Sequence, residues 1–196
     1  MKMILSIFLS TLILFGCKGK KSAGDTAGTT ATDTAEVLRY FPVTNYIKGQ
    51  VADIKSIGIN PLKYITRGNQ QDSVWIKDDG LLQEVTAFLQ PVIDTANMIP
   101  FFREEKFLDQ SVNAYTFTYS PIGKLPDSIQ LRHWDVYIDP QEGKVRRVYM
   151  VKDLGNGRQQ QLTWNASEKW CKILELSTKP DGTAFVDSEQ KIIWNF

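Results

Sequence analysis

Hydrophobic and polar positions change their spacing along this chain, and the spacing predicts helical structure before it predicts strands. From Val43 to Ile54, apolar residues recur every three or four positions, which places them on one face of a helix. Pro42 suits the first turn, and Gly58 supplies a stop. We therefore predict a helix over residues 43 to 56.

A second amphipathic pattern follows after a short β-type stretch. Asp78 or Asp79 can cap a helix, and apolar residues from Leu81 to Val92 then fall on one face. Pro91 is expected to end this helix, because proline removes a backbone donor and clashes with the preceding turn. The sequence thus predicts two helices in the first half of the folded region.

The remaining patterns are typical of β structure. Residues 62 to 67 and 73 to 77 are strand-like runs around Gly68 to Gln71, which predicts a hairpin. After Pro100 apolar residues alternate with polar ones between turn residues, as in successive antiparallel strands. These later predicted strands cover residues 101–108, 112–120, 129–139, 144–151, 159–165, 169–177, 184–187 and 191–196.

Together these patterns predict one α+β domain over residues 36 to 196. Two N-terminal helices with a hairpin would pack on a curved, mainly antiparallel β-meander sheet. With 42% hydrophobic residues, the chain can bury a substantial core. Lys and Arg number 23 against 22 Asp and Glu, so the charge gives no reason to expect a nucleic-acid partner.

The N-terminal segment has the composition of an export signal. Lys2 precedes an apolar run from Met3 to Phe15, which is too short to span a bilayer comfortably. The motif Leu14-Phe15-Gly16-Cys17 resembles the lipobox of bacterial lipoprotein precursors, and the chain resembles small uncharacterised envelope lipoproteins of Gram-negative bacteria. This resemblance implies diacylglyceryl attachment to Cys17, cleavage after Gly16 and N-acylation of the new terminus.

These expectations divide the chain into three parts. Residues 1 to 16 would be a signal peptide, and residues 17 to 35 the lipidated cysteine with a flexible linker rich in Thr, Ala, Gly and Lys. The globular domain would then be held at a membrane without spanning it. Lys18 follows the cysteine, which favours the periplasmic face of the outer membrane over the inner membrane under sorting rules that vary between bacteria.

His133 and Asp135 are the leading candidates for polar chemistry. In a strand, residues two apart share a face, so the carboxylate of Asp135 could orient the imidazole of His133. A hydrolytic triad would also need a positioned nucleophile, and no Gly-x-Ser-x-Gly elbow is present. A surface hydrogen bond is the competing interpretation of the pair, so no catalytic residue is assigned.

Cys171 is the second cysteine, and its apolar neighbours predict a buried, inert thiol rather than a nucleophile. One histidine and one spare cysteine do not make a conventional zinc set, so neither a metal nor another cofactor is expected. The ten Phe, seven Tyr and five Trp mostly occupy alternating strand positions, where core packing or a binding groove could explain them.

Three functional hypotheses follow. The leading one is a non-enzymatic, lipid-anchored envelope protein that binds a protein or the cell wall. The alternative is a carrier for a lipid or other apolar small molecule, with a cavity lined by Phe, Tyr and Trp between helices and sheet. The third is a hydrolase using His133 with Asp135 or Cys171. The oligomeric state is left open by the sequence.

Overall fold

The computed structural model describes residues 40–77 and 80–196. The predicted signal peptide, Cys17 and the linker lie outside these residues, as do the predicted capping residues Asp78 and Asp79. In the described ranges no helix is both long enough and apolar enough to cross a bilayer.

The described part of the chain forms four helices and nine strands. Helix α1 spans Val43–Ser56, α2 Gly80–Glu84, α3 Thr86–Leu89 and α4 Thr95–Met98. The strands are β1 Leu62–Arg67, β2 Gln70–Trp75, β3 Phe102–Asp109, β4 Ala114–Pro121, β5 Leu131–Ile138, β6 Val145–Gly155, β7 Arg158–Asn165, β8 Trp170–Thr178 and β9 Ala184–Ile193.

All nine strands form one antiparallel sheet in the order β2-β1-β9-β8-β7-β6-β5-β4-β3. Strands β3 to β9 follow one another as a meander, and the early hairpin β1-β2 extends the sheet by pairing with β9. Leu62 lies opposite Ile193 in this pairing, and Thr66 lies opposite Glu189. Strands β2 and β3 are therefore the two edges of the sheet that residues 40–77 and 80–196 form.

The predicted α+β fold class is wrong. The described chain is mostly this nine-stranded sheet, and helix 43–56 is the only long helix within it. The hairpin does not pack on the sheet but forms one end of it. Local periodicity reveals strands and helices, whereas the joining of the hairpin to β9, near the other end of the chain, depends on non-local pairing.

The predicted second helix is also wrong, because its residues form short pieces. The hydroxyl of Thr86 donates to the carbonyls of Leu82 and Gln83, which competes with regular helix geometry at this point. Val85 sits between α2 and α3 with φ −99° and ψ 13°. Its β-branched side chain and that of Thr86 also lower helix propensity.

The long helix agrees with its predicted bounds of residues 43 to 56. Its apolar residues are buried on one face, and Gly58 follows its end with a φ of 71°, a conformation that suits glycine. The hairpin turn is shorter than expected, because Gln70 and Gln71 already belong to β2. The last two predicted strands are one continuous strand, β9.

The core lies between the helices and one face of the sheet, which we call the helix-covered face. Trp134 and Trp164 are fully buried there, and the Trp134 ring stacks on Tyr119 with centroids 4.4 Å apart. Phe88 of α3 meets Trp164 edge-on at 5.6 Å. Close aromatic packing of this kind contributes to stability beyond simple burial. No helix of the described residues packs on the opposite face of the sheet, which we call the uncovered face.

Candidate functional site

The polar candidates lie on the uncovered face of the sheet. His133 and Asp135 belong to β5, whose alternate residues Trp134 and Val136 are fully buried in the core. A bulge lies in the β5-β6 pairing between Leu131 and His133. It allows Leu131 to enter the core while His133, two residues later, projects from the other face.

The predicted pair of His133 and Asp135 is in contact. The His133 Nε2 lies 2.9 Å from Asp135 Oδ2, and the Thr118 hydroxyl donates to Asp135 Oδ1 at 2.7 Å. The hydroxyl of Tyr137 also donates to Asp135 Oδ2, at 3.4 Å. Asp135 is only 7% exposed, so these three groups provide polar partners for a carboxylate that is almost removed from water.

Electrostatics within this cluster favour a charged histidine and neutral tyrosines. The hydrogen bond to Asp135 raises the pKa of His133 above its usual value, against the opposing effect of partial burial. Tyr149 lies directly opposite Asp135 in the β5-β6 register. Burial, and then the charge of Asp135, raise the pKa of Tyr149, and the same two causes lead for Tyr137.

The Asp135 carboxylate could orient the imidazole of His133, but no cysteine nucleophile of the described residues lies beside this ring. Cys171 is 1% exposed on the helix-covered face, so its thiol and the His133 ring lie on opposite sides of the sheet. Burial also raises the pKa of Cys171, which keeps it in the poorly nucleophilic thiol form. The hydroxyl of Thr118 is already used as a donor to Asp135. The described cluster therefore has the character of a buried hydrogen-bond network.

Two further points concern possible metal ligands and the cavity that the carrier hypothesis expects. Among residues 40–77 and 80–196, no group of three or more His, Cys, Asp or Glu side chains is placed to hold a metal ion. Beneath the helices, where a carrier cavity lined by aromatic residues was expected, the core contains Phe88, Tyr119, Trp134 and Trp164. These four large aromatic side chains thus serve the core. A cavity of about 660 Å³ lies at one end of α1, beside Phe41 and Tyr46.

An apolar row lies on the uncovered face, and the alternation of apolar and polar residues in the sequence does not predict it. Register places Trp170, Ile193, Leu62 and Trp75 side by side across β8, β9, β1 and β2. Phe196 extends this apolar row, with its ring centroid 5.4 Å from that of Trp75. The row becomes more exposed toward the sheet edge, where Trp75 is 52% and Phe196 64% exposed. Only long-range strand pairing assembles it.

The inner end of the apolar row is bordered by polar contacts. Trp170 donates its indole N–H to Glu168 at 2.8 Å, and the Lys191 ammonium lies 5.2 Å from the ring centroid. The same line of residues continues across β7 and β6 through Asn165 and Arg147. The row therefore has a polar border at one end and an open sheet edge at the other.

The two sheet edges differ in charge. Strand β3 carries ion pairs, with Arg103 Nε 3.2 Å from Glu105 and Lys106 Nζ 2.7 Å from Glu104. Charged side chains of this kind discourage another strand from adding to an edge. Strand β2, with sequence Gln-Gln-Asp-Ser-Val-Trp, has one charged residue, and all six of its residues are exposed. Of the two, β2 is the less protected edge.

Two features of the uncovered face are thus relevant to function. One is the network around Asp135, whose carboxylate contacts Thr118, His133 and Tyr137. The other is the apolar row that ends at the open edge strand β2. No family model, curated protein or solved structure gives a significant match to this chain.

Proposed function

We propose that this chain is a lipid-anchored, non-enzymatic envelope protein that binds an extended segment of a protein partner along β2. The observation that carries this proposal is the coincidence of an open sheet edge with the exposed end of the apolar row. An edge strand offers backbone N–H and C=O groups with which a partner strand can pair, so that the sheet continues. In β2 the Ser73 N–H donates to Asp72 Oδ1 at 2.7 Å, and a partner strand would take the place of this bond.

The apolar row would supply the side-chain part of this recognition. Large aromatic residues are frequent anchors in interfaces because they bury much area at little entropic cost. Trp75 and Phe196 form such a pair beside the backbone of β2. A partner strand would place an apolar side chain against Trp75 on the uncovered face, while its next residue would face the opposite way.

The proposed location rests on the lipobox at Leu14 to Cys17 rather than on the folded domain. Acyl chains at Cys17 would hold the domain at a membrane, with the periplasmic face of the outer membrane favoured. Residues 18 to 35 would give the domain enough reach to meet a partner near that surface. Replacement of Cys17 by serine should remove the mass of the acyl groups, which intact mass spectrometry of the protein purified from membranes measures.

Site-specific photo-crosslinking in living cells tests the binding surface. A photoreactive amino acid is placed in the full chain at Val74 in β2 or at Phe107 in β3, two positions of matched exposure at 49% and 48%. We expect one discrete crosslinked product from Val74 and none from Phe107. Trp75→Ala should reduce the Val74 product at least severalfold, because it removes the exposed anchor.

A second variant tests whether the loss of the Val74 product is specific to an aromatic residue at the β2 edge. Phe107→Ala removes an aromatic ring of similar exposure from the opposite edge and should leave the Val74 product unchanged. Equal crosslinking from both edges, or a Val74 product that does not depend on Trp75, would contradict binding at β2.

A further inference from the structure

A small polar pocket lies on the uncovered face, where β5 and β7 end and β6 begins. Its volume is about 270 Å³, which suits a small molecule. Its polar lining includes Tyr137, Arg146, Arg147, Asn165 and Glu168, and we call it the arginine pocket. These strands lie away from β2 in the order of the sheet, so the arginine pocket is separate from the proposed partner site.

The arginine pocket contains a buried amide with an unused donor. Asn165 is 7% exposed, and its Oδ1 accepts from the Ser167 hydroxyl and from the Glu168 backbone N–H, both at 2.9 Å. Its Nδ2 donates no hydrogen bond to any other described residue. This atom is not sealed from solvent as the indole nitrogens of Trp134 and Trp164 are, so a ligand in the pocket can reach it. A buried donor of this kind favours an acceptor.

The two arginines are held in place without a carboxylate partner. The guanidinium carbon of Arg147 lies 4.0 Å from the Tyr137 ring centroid, and such stacking leaves the N–H groups at the edge of the guanidinium plane. Arg146 Nη1 donates to the carbonyl of Asn113 at 3.1 Å. Neither arginine forms an ion pair with another residue in the described ranges.

Acidic groups near the arginines limit the charge of the site. Glu168 lines the arginine pocket, and its Oε2 accepts from the Trp170 indole N–H at 2.8 Å. Asp109 and Asp139 are close enough to feel the arginine charges, but both carboxylates accept hydrogen bonds within their own turns. The lining therefore has two positive side chains and one negative side chain, which suits a ligand with a single negative charge.

We infer that the arginine pocket binds a small molecule through one carboxylate group. A carboxylate accepts hydrogen bonds at both oxygens, so Asn165 Nδ2 and the planar guanidinium of Arg147 could bind the same group. Val112 and Ala114 form an apolar part of the lining and would contact the rest of the molecule. A neutral amide would lose the attraction of the arginines, and a doubly charged anion would be repelled by Glu168.

Titrations of the purified full chain followed by NMR at pH 7 test the inference. The probes are propionate, the neutral propanamide of similar size, and sulfate as a doubly charged anion. The observed signals are the side-chain N–H groups of Asn165 and Arg147, with the buried indole N–H of Trp134 as the reference. We expect saturable shifts of the pocket signals with propionate, at least tenfold weaker binding of propanamide and sulfate, and an unchanged Trp134 signal.

Variants that preserve side-chain size identify the groups that bind. Asn165→Asp keeps the Oδ1 acceptor but replaces the Nδ2 donor by a second carboxylate oxygen, so it should weaken propionate binding at least tenfold. Arg147→Gln should weaken it by a similar factor, whereas Arg158→Gln, at an exposed arginine outside the pocket, should have no effect. An unchanged Trp134 signal in each variant shows that the core is intact.

Glu168→Gln tests the selection of a single charge. Glutamine retains an acceptor for the Trp170 indole but removes the negative charge, so sulfate should bind about three- to tenfold more tightly than it binds the unchanged chain.

Four results would overturn the inference. Propanamide binding as tightly as propionate would remove the role of charge, and sulfate binding as tightly as propionate would indicate a general anion site. An equal loss in Arg158→Gln and Arg147→Gln would indicate diffuse attraction to the surface. An absence of saturable shifts at Asn165 and Arg147 would show that the pocket does not bind a carboxylate.

Discussion

Lys152 is a charged residue in an apolar setting. It projects from β6 toward the helices, is 4% exposed, and its ammonium donates a hydrogen bond to the carbonyl oxygen of Ala87 in α3. Burial lowers the pKa of Lys152 to about 8, because the charged form loses its hydration. A lysine in the unfolded chain has a pKa near 10.4, so folding and ionisation are linked.

This linkage predicts how stability depends on pH. Below pH 8 the lysine is charged in both states, and its burial costs up to about 3 kcal/mol. Between about pH 8 and 10.4 the folded state loses the proton first, so this cost falls as pH rises. Lys152→Met should therefore raise the free energy of unfolding more at pH 7 than at pH 10.

Urea unfolding at both pH values measures this difference, with the exposed Lys124→Met as the matched control. Equal effects of Lys152→Met at pH 7 and pH 10 would show that the ammonium is not the source of the cost.

The Asp135 network shows what residue spacing can and cannot reveal. Two-residue spacing in a strand predicts that His133 and Asp135 share a face, and their side chains are in contact at 2.9 Å. The hydrogen-bond partner Thr118 and the opposite residue Tyr149 come from neighbouring strands, so their positions depend on register. Register is set by turns, bulges and core packing together, which a single sequence pattern does not display.

Among the elements, α1 has a glycine in its interior. A Cβ at Gly49 would meet no atom within 4 Å, so Gly49→Ala adds helix propensity without a clash. We expect it to raise the free energy of unfolding by about 0.5–1 kcal/mol. Gly58→Ala should lower it by about 1–2 kcal/mol, because φ there is 71°.

Denaturant midpoints of the two variants measure the comparison. A destabilising Gly49→Ala would indicate that α1 is not regular at this point. A neutral Gly58→Ala would indicate that the end of α1 tolerates another conformation.

Element type was more predictable from the sequence than element extent. The period of apolar residues in α1 agrees with the helix because burial and helix geometry require the same spacing. The second helical pattern is interrupted by Thr86, whose hydroxyl bonds to the preceding turn. In β9, polar residues around Glu189 suggest a break, yet pairing on both sides keeps the strand continuous.

At the scale of the whole molecule, β9 joins the early hairpin to the rest of the sheet. It pairs with β8 on one side and β1 on the other, and Ile192 and Trp194 near its end are buried in the core. Removal of residues 184 to 196 should therefore abolish cooperative unfolding, because it separates the hairpin and opens the core.

Thermal unfolding followed by circular dichroism measures this loss. Phe196→Ala provides the control, because it removes an exposed ring and should keep a cooperative transition close to that of the unchanged chain. A cooperative transition in the shortened chain would mean that β3 to β8 with the helices form a stable unit alone.

The position of β9 also affects the order of events during synthesis. The hairpin β1-β2 leaves the ribosome long before residues 184 to 193, yet it has no place in the sheet until they arrive. Contacts between such distant segments slow folding, because a long loop has to close first. A nascent chain would thus stay without its complete sheet until late in translation.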